Sequence, residues 1–190
     1  MRRRDFFTLL GGAAAVWPLA ARAQPTTERV RRIGVLMSTT ADDPEGQARM
    51  AAFHQGLQEG GWTLGRNARV DVRWGAFDAD SSRHYATELV ALAPEVIVAS
   101  ASAAMGALRQ MRTGVPIVFV SIIDPVGAGF VASLSRPGRN VTGFALFEYS
   151  LSGKWLELLK EIAPSVTRAA VLREAAVASG VGQYAIIQAL

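Results

Sequence analysis

The chain alternates short apolar runs with longer stretches in which apolar residues recur every three or four positions. Val30 to Met37 turns apolar and stops at Ser38-Thr39-Thr40, which predicts a first buried strand. Pro44 to Gly60 sets Met50, Phe53 and Leu57 at helical spacing, with Gly60-Gly61 as the stop. Ala68 to Trp74 places Val70, Val72 and Trp74 on one side of a strand. Ser81 to Leu92 predicts a helix with Tyr85, Leu89 and Leu92 on its apolar face, Asp80 or Ser81 as cap, and Pro94 beyond its end. Val96 to Ala99 reads as a strand, Ala103 to Met111 as a short helix, and Val115 to Val120 as a β-branched run buried on both faces. Such alternation predicts an α/β fold: a parallel sheet with right-handed crossovers and helices on both faces.

A polar turn, Arg136-Pro-Gly-Arg-Asn140, feeds a further extended run from Val141 to Phe147, and residues 24–147 form one α/β lobe with its crossover. Leu151 to Ile162 then carries Leu151, Trp155, Leu158, Leu159 and Ile162 on one side of an amphipathic helix. Thr167 to Leu172 predicts a strand entering a second sheet, and Val181 to Leu190 a helix that stops while still apolar. Residues 148–190 thus read as the start of a second, truncated lobe.

The segment VPIVFVSIIDPVGAGFVASLSRPGRNVTG, residues 115–143, joins a buried strand to Asp124-Pro125, Arg136-Pro-Gly and Asn140-Val-Thr-Gly. This pattern resembles the substrate-binding subunits of a family of bacterial ABC importers often linked to aromatic amino acids. The resemblance implies a two-lobed fold of the periplasmic-binding-protein type, a small-molecule ligand held between lobes, and a membrane permease as partner. It extends over the first lobe, the crossover and the first strand and helix of the second. Members of that family carry Asn-Pro after the second-lobe strand. Here Arg173-Glu-Ala-Ala follows, so ligand contacts from that loop do not transfer.

The amino terminus points to export. Arg2-Arg3-Arg4 precedes an apolar run from Phe6 to about Leu19, and Ala21-Arg22-Ala23 has the small-x-small form of a cleavage site. Arg3-Arg4-x-Phe-Phe is also twin-arginine-like, so residues 1–23 read as a signal peptide for the twin-arginine or general secretion machinery and the periplasm. The run is shorter than the roughly 20 residues a membrane span needs. The chain has no cysteine, which excludes a lipoprotein signal and disulfides. The leader's four arginines and one aspartate supply +3 of the chain's +4, so the apparent basicity belongs to it. With that removed, no arginine-rich face with interleaved aromatics suggests a nucleic-acid partner.

In a parallel sheet the loops after the first, third and fourth strands open at one edge. They carry Ser38 and Thr39, Ser100 and Ser102, and Ser121 and Asp124. Hydroxyls and free N–H groups at helix starts suit a carboxylate, and Asp124 suits an α-ammonium group. An amino acid held at both ends would turn its side chain toward Phe144, Phe147 or Tyr149. The plainer alternative is that the hydroxyls cap helices, Asp124 caps the Pro125 turn and the aromatics fill a core.

Enzyme signatures are weak. Gly127-x-Gly129-x-x-Ala132 matches a dinucleotide fingerprint that follows a strand and opens a helix, but six residues separate it from the predicted strand end. There is no G-x-S-x-G elbow and no phosphate-binding G-x-x-x-x-G-K-[ST]. His54 and His84 are the only histidines and lack ligand spacing, so neither a metal nor another cofactor is expected. The competing class is a secreted α/β enzyme on the same sheet that uses Asp124, or a dinucleotide-binding domain.

Overall fold

A computed structural model describes residues 29–173 and 177–189; the leader lies outside the described residues. The elements are β1 (Arg31–Met37), α1 (Pro44–Glu59), β2 (Ala68–Trp74), α2 (Ala79–Ala91), β3 (Val96–Ser100), α3 (Ala101–Gln110), β4 (Ile117–Ile122), β5 (Val141–Ala145), α4 (Leu151–Ile162) and α5 (Ala178–Gln188). The five strands form one sheet in the order β2-β1-β3-β4-β5, and all four pairings are parallel.

Successive residues of β1 serve two different cores. Ile33, Val35 and Met37 face α1, where they pack on Met50 with Phe53 and Leu57 beside it. Leu36 faces the other way, into a larger cluster with Leu89 of α2, Met105 and Leu108 of α3, and Ile97, Ile117 and Phe119 of the sheet. The period-2 geometry of a strand makes this division, and right-handed crossovers place α1 on one face and α2 with α3 on the other.

Caps and breakers fix the element ends. Asp43 accepts the Gly46 N–H at 2.6 Å ahead of Pro44 at the start of α1. The cap of α2 is Asp78, which accepts the Ser81 N–H at 2.7 Å, rather than Asp80 or Ser81. The third residue past the cap donates the bond, so Ser81 belongs to the first turn. Burial aside, β4 runs two residues later than its apolar run and takes in Ser121, because the ladder to β5 resumes past an irregularity at Ile122 and Ala145.

Two expectations change. Residues 126–132 form turns with no helix, which removes the context a dinucleotide fingerprint requires. Residues 167–173 are not in a strand: Leu172 is fully exposed, and among the described residues no strand lies alongside to supply a ladder. Beyond β5, Phe147 packs edge-on against Trp155 of α4 at 5.9 Å between ring centres. No described helix is long and apolar enough to cross a membrane.

Candidate ligand edge of the sheet

Parallel strands put all five carboxyl ends at one edge. The connections from β1 leave toward β2, and the chain then returns past β1 to β3, so the order reverses between β1 and β3. Open α/β sheets bind ligands at this switch point. Ser38, just past β1, and Ser100, the last residue of β3, meet there: the Ser38 hydroxyl donates to the Ser100 carbonyl at 2.7 Å, and both residues are buried. The adjacent Thr39 Oγ1 is buried with no hydrogen-bond partner. It rests where a side chain on Gly46, in the first turn of α1, would collide with it. Ser100 precedes α3 without capping it through its side chain, and Ser102 lies buried in the first turn of that helix.

Backbone strain gathers at the same edge. Ala101 (φ +70°), Ser121 (φ +57°) and Asp124 (φ +44°) are left-handed without being glycine, as are Ala76 (φ +51°) and Phe77 (φ +58°) after β2. Ala93 and Arg112 share that conformation for an ordinary reason, each being the residue after a helix cap. The five at the carboxyl edge have no such role, and strain of this kind concentrates at functional sites.

Asp124 is a junction. Its Oδ1 accepts the Gly127 N–H at 2.6 Å and its Oδ2 the Tyr149 N–H at 3.2 Å, while its own N–H donates to the Phe147 carbonyl at 2.8 Å. It therefore caps the Pro125 turn and also ties the loop after β4 to the start of α4. Each carboxylate oxygen keeps a lone pair. Tyr149 is buried, its hydroxyl lacks a partner, and its ring lies against Gly182 of α5.

Burial, and secondarily the Asp124 charge, push the Tyr149 phenol above its ordinary pKa. The unfolded chain ionises this group first, so its contribution to stability is whole below the ordinary tyrosine value and lost as pH climbs through the raised one. Urea midpoints are expected to fall more steeply above about pH 10 in the parent than in Tyr149→Phe. Parallel slopes would remove Tyr149 from the alkaline transition.

The structure thus gathers Ser38, Thr39, Ser100 and Ser102 at the β1–β3 side of the edge, with Ser121 and Asp124 on the β4 side. Phe144 lies on β5 and is 73 % exposed, whereas Phe147 and Tyr149 are engaged with the segments after the crossover. Phe77 joins this edge although the hydroxyl pattern of the loops does not mark it. It is 70 % exposed, and its N–H bonds the Ser38 carbonyl at 2.5 Å. Its signal in the sequence is Gly75-Ala-Phe-Asp, which follows β2 and opens at the same edge as the loops after β1, β3 and β4. No cluster of three or more metal-ligating side chains exists among the described residues.

Residues 32–189 match the family described as ABC transporter substrate binding protein. The chain is 26 % identical over 153 residues to the tyrosine-binding protein of Clostridioides difficile (strain R20291), covering 80 % of this chain and 44 % of that protein. The structure of a conserved domain protein from Vibrio cholerae superposes with a TM-score of 0.74 at 28 % identity, over 85 % of this chain and 53 % of that one. An ABC domain from Streptococcus pneumonia in complex with L-Trp gives 0.72 at 25 % identity, over 84 % and 52 %. The fold is accordingly that of the two-lobed periplasmic binding proteins, and the chain spans about half the length of the relatives it matches. The match over 32–189 says which of them: the chain belongs to the ABC transporter substrate-binding protein family.

Proposed function

We propose that this protein captures an aromatic amino acid or a related small solute outside the cytoplasm and passes it to the permease of an ABC importer, without catalysing a reaction on it. The observation that carries the reading is the unpartnered Thr39 hydroxyl beside the Ser38–Ser100 contact at the switch point. A buried hydroxyl without a partner is costly unless something binds it. The tyrosine and L-Trp named for the two relatives supply the ligand class.

In this reading Ser38, Thr39, Ser100 and Ser102 meet the ligand carboxylate at the starts of α1 and α3, where the helix dipoles favour an anion. Ser121 and Asp124 take the ammonium group by charge-assisted bonds. Phe144, joined by Phe77, offers aromatic faces for the side chain. Residues 1–23 direct the chain through the twin-arginine or general secretion machinery to the periplasm.

The test is a thermal and calorimetric titration with L-Trp, L-Tyr, L-Phe, glucose and NAD. A ligand at about 100 times its dissociation constant adds roughly 2.7 kcal/mol, which is several degrees in a domain this size. A rise confined to amino acids is expected. Thr39→Val should abolish it while the free protein melts no lower than the parent, since that hydroxyl bonds nothing in the free chain and removing it relieves an unpaired buried group. A flat response to every amino acid would overturn the proposal.

A further inference from the structure

The Arg136-Pro-Gly-Arg-Asn140 turn enters β5 at its amino end, on the sheet edge opposite the ligand loops, so solute capture does not account for it. The groove there, roughly 760 Å³, is lined by Arg109, Arg112 and Arg139 together with Gln110, Thr113 and Asn140. No acidic residue lines it. Between Ala101 and Phe147 the chain has four arginines and a single acid, Asp124, which sits at the other edge.

The contrast with the rest of the lobe is sharp. Arg29, Arg31, Arg32, Arg49, Arg69, Arg73 and Arg83 each have a carboxylate partner. Among the described residues Arg112, Arg136 and Arg139 have none, and Arg109 reaches only the Gly129 carbonyl, at 3.5 Å. Solvation explains a lone unpaired arginine; it does not explain why the loops are fastened so that several share one concavity. The Asn140 side-chain amide donates to the carbonyls of Thr113 and Val115, and the Ile117 N–H donates to the Asn140 carbonyl at 2.8 Å. This clamps the loop bearing Arg112 to the turn bearing Arg139. Arg139 is itself held left-handed, at φ +54°.

We propose that this groove binds a phosphate-bearing anion. Guanidinium forks pair bidentately with phosphate oxygens, and several uncompensated positive charges match a multiply charged group better than a single carboxylate. The phosphate can belong to a free phosphate compound or to a lipid headgroup, and the two sources separate experimentally.

The whole chain is titrated with pyrophosphate by calorimetry, and floated with phosphatidylglycerol or phosphatidylcholine vesicles. The variant is Arg112→Asn with Arg139→Asn, asparagine being tolerant of the left-handed backbone both positions adopt. Binding of pyrophosphate that weakens with salt and falls about a hundredfold in the double variant supports a free phosphate ligand. Flotation with phosphatidylglycerol alone, lost in the same variant, supports the headgroup. Arg49→Asn, on α1, should leave either result intact. Absence of both interactions, or binding indifferent to the double variant at an unchanged melting temperature, would overturn the proposal.

Discussion

Asp124→Ala is expected to lower the unfolding free energy by about 2–4 kcal/mol, because it strips charge-assisted acceptors from two backbone donors at once. The Gly127 and Tyr149 N–H groups belong to the turn after β4 and the entry to α4, which otherwise meet through the backbone bond from the Asp124 N–H to the Phe147 carbonyl. Without the carboxylate both donors lose their partner, and the residue left behind still sits at φ +44°, where alanine is strained. Asp124→Asn keeps one acceptor oxygen and should fall between the two. Chemical denaturation of the three proteins, read at far- and near-ultraviolet wavelengths, checks the order. An alanine variant within about 0.5 kcal/mol of the parent would refute the junction role, since that is the scatter of an ordinary surface change. The same series bears on solute capture: a variant that melts normally yet binds no amino acid would assign Asp124 to the ligand.

Gly143→Val should be more damaging still, at about 3 kcal/mol or above. Gly143 pairs with Phe119 across β4 and β5, and a Cβ there would fall on the Phe119 backbone carbonyl and against its ring. Neither obstacle can yield. The carbonyl is part of a central strand, and the Phe119 side chain is 2 % exposed within the larger core. Relief requires β5 to separate from the sheet, carrying the crossover with it. Amide hydrogen exchange is expected to accelerate across residues 117–145 in this variant. Gly129→Ala is the comparison: its Cβ meets nothing within 4 Å, so only its left-handed backbone (φ +71°) opposes the change, at about 1 kcal/mol. Equal effects at the two glycines would contradict the packing account.

Several features of this fold are legible without coordinates because one residue or one period decides them. The alternation of Val70, Val72 and Trp74 bounds β2 at Ala68 and Trp74, and the spacing from Leu151 to Ile162 delimits α4. Features set by a partner distant in sequence are not legible. The apolar run at 167–172 has strand composition, but a strand exists only where another chain segment bonds to it. The end of β4 depends on β5, some twenty residues on, so its apolar pattern stops two residues short of the ladder. The candidate site divides in the same way. Hydroxyls after strands signal the edge, whereas Phe77 enters it through a backbone bond to Ser38, and the double engagement of Asp124 depends on Tyr149 arriving from beyond the crossover.

The division of β1 between two cores bears on how this lobe can change length over evolution. Adding or deleting a single residue inside Ile33–Met37 would exchange the inward and outward assignments of everything downstream in the strand. Leu36 would then confront α1, and Val35 and Met37 the cluster around Leu89. The central strand is in effect a ruler with two scales, and insertions can accumulate only where no scale is being read, in the turns beyond either edge.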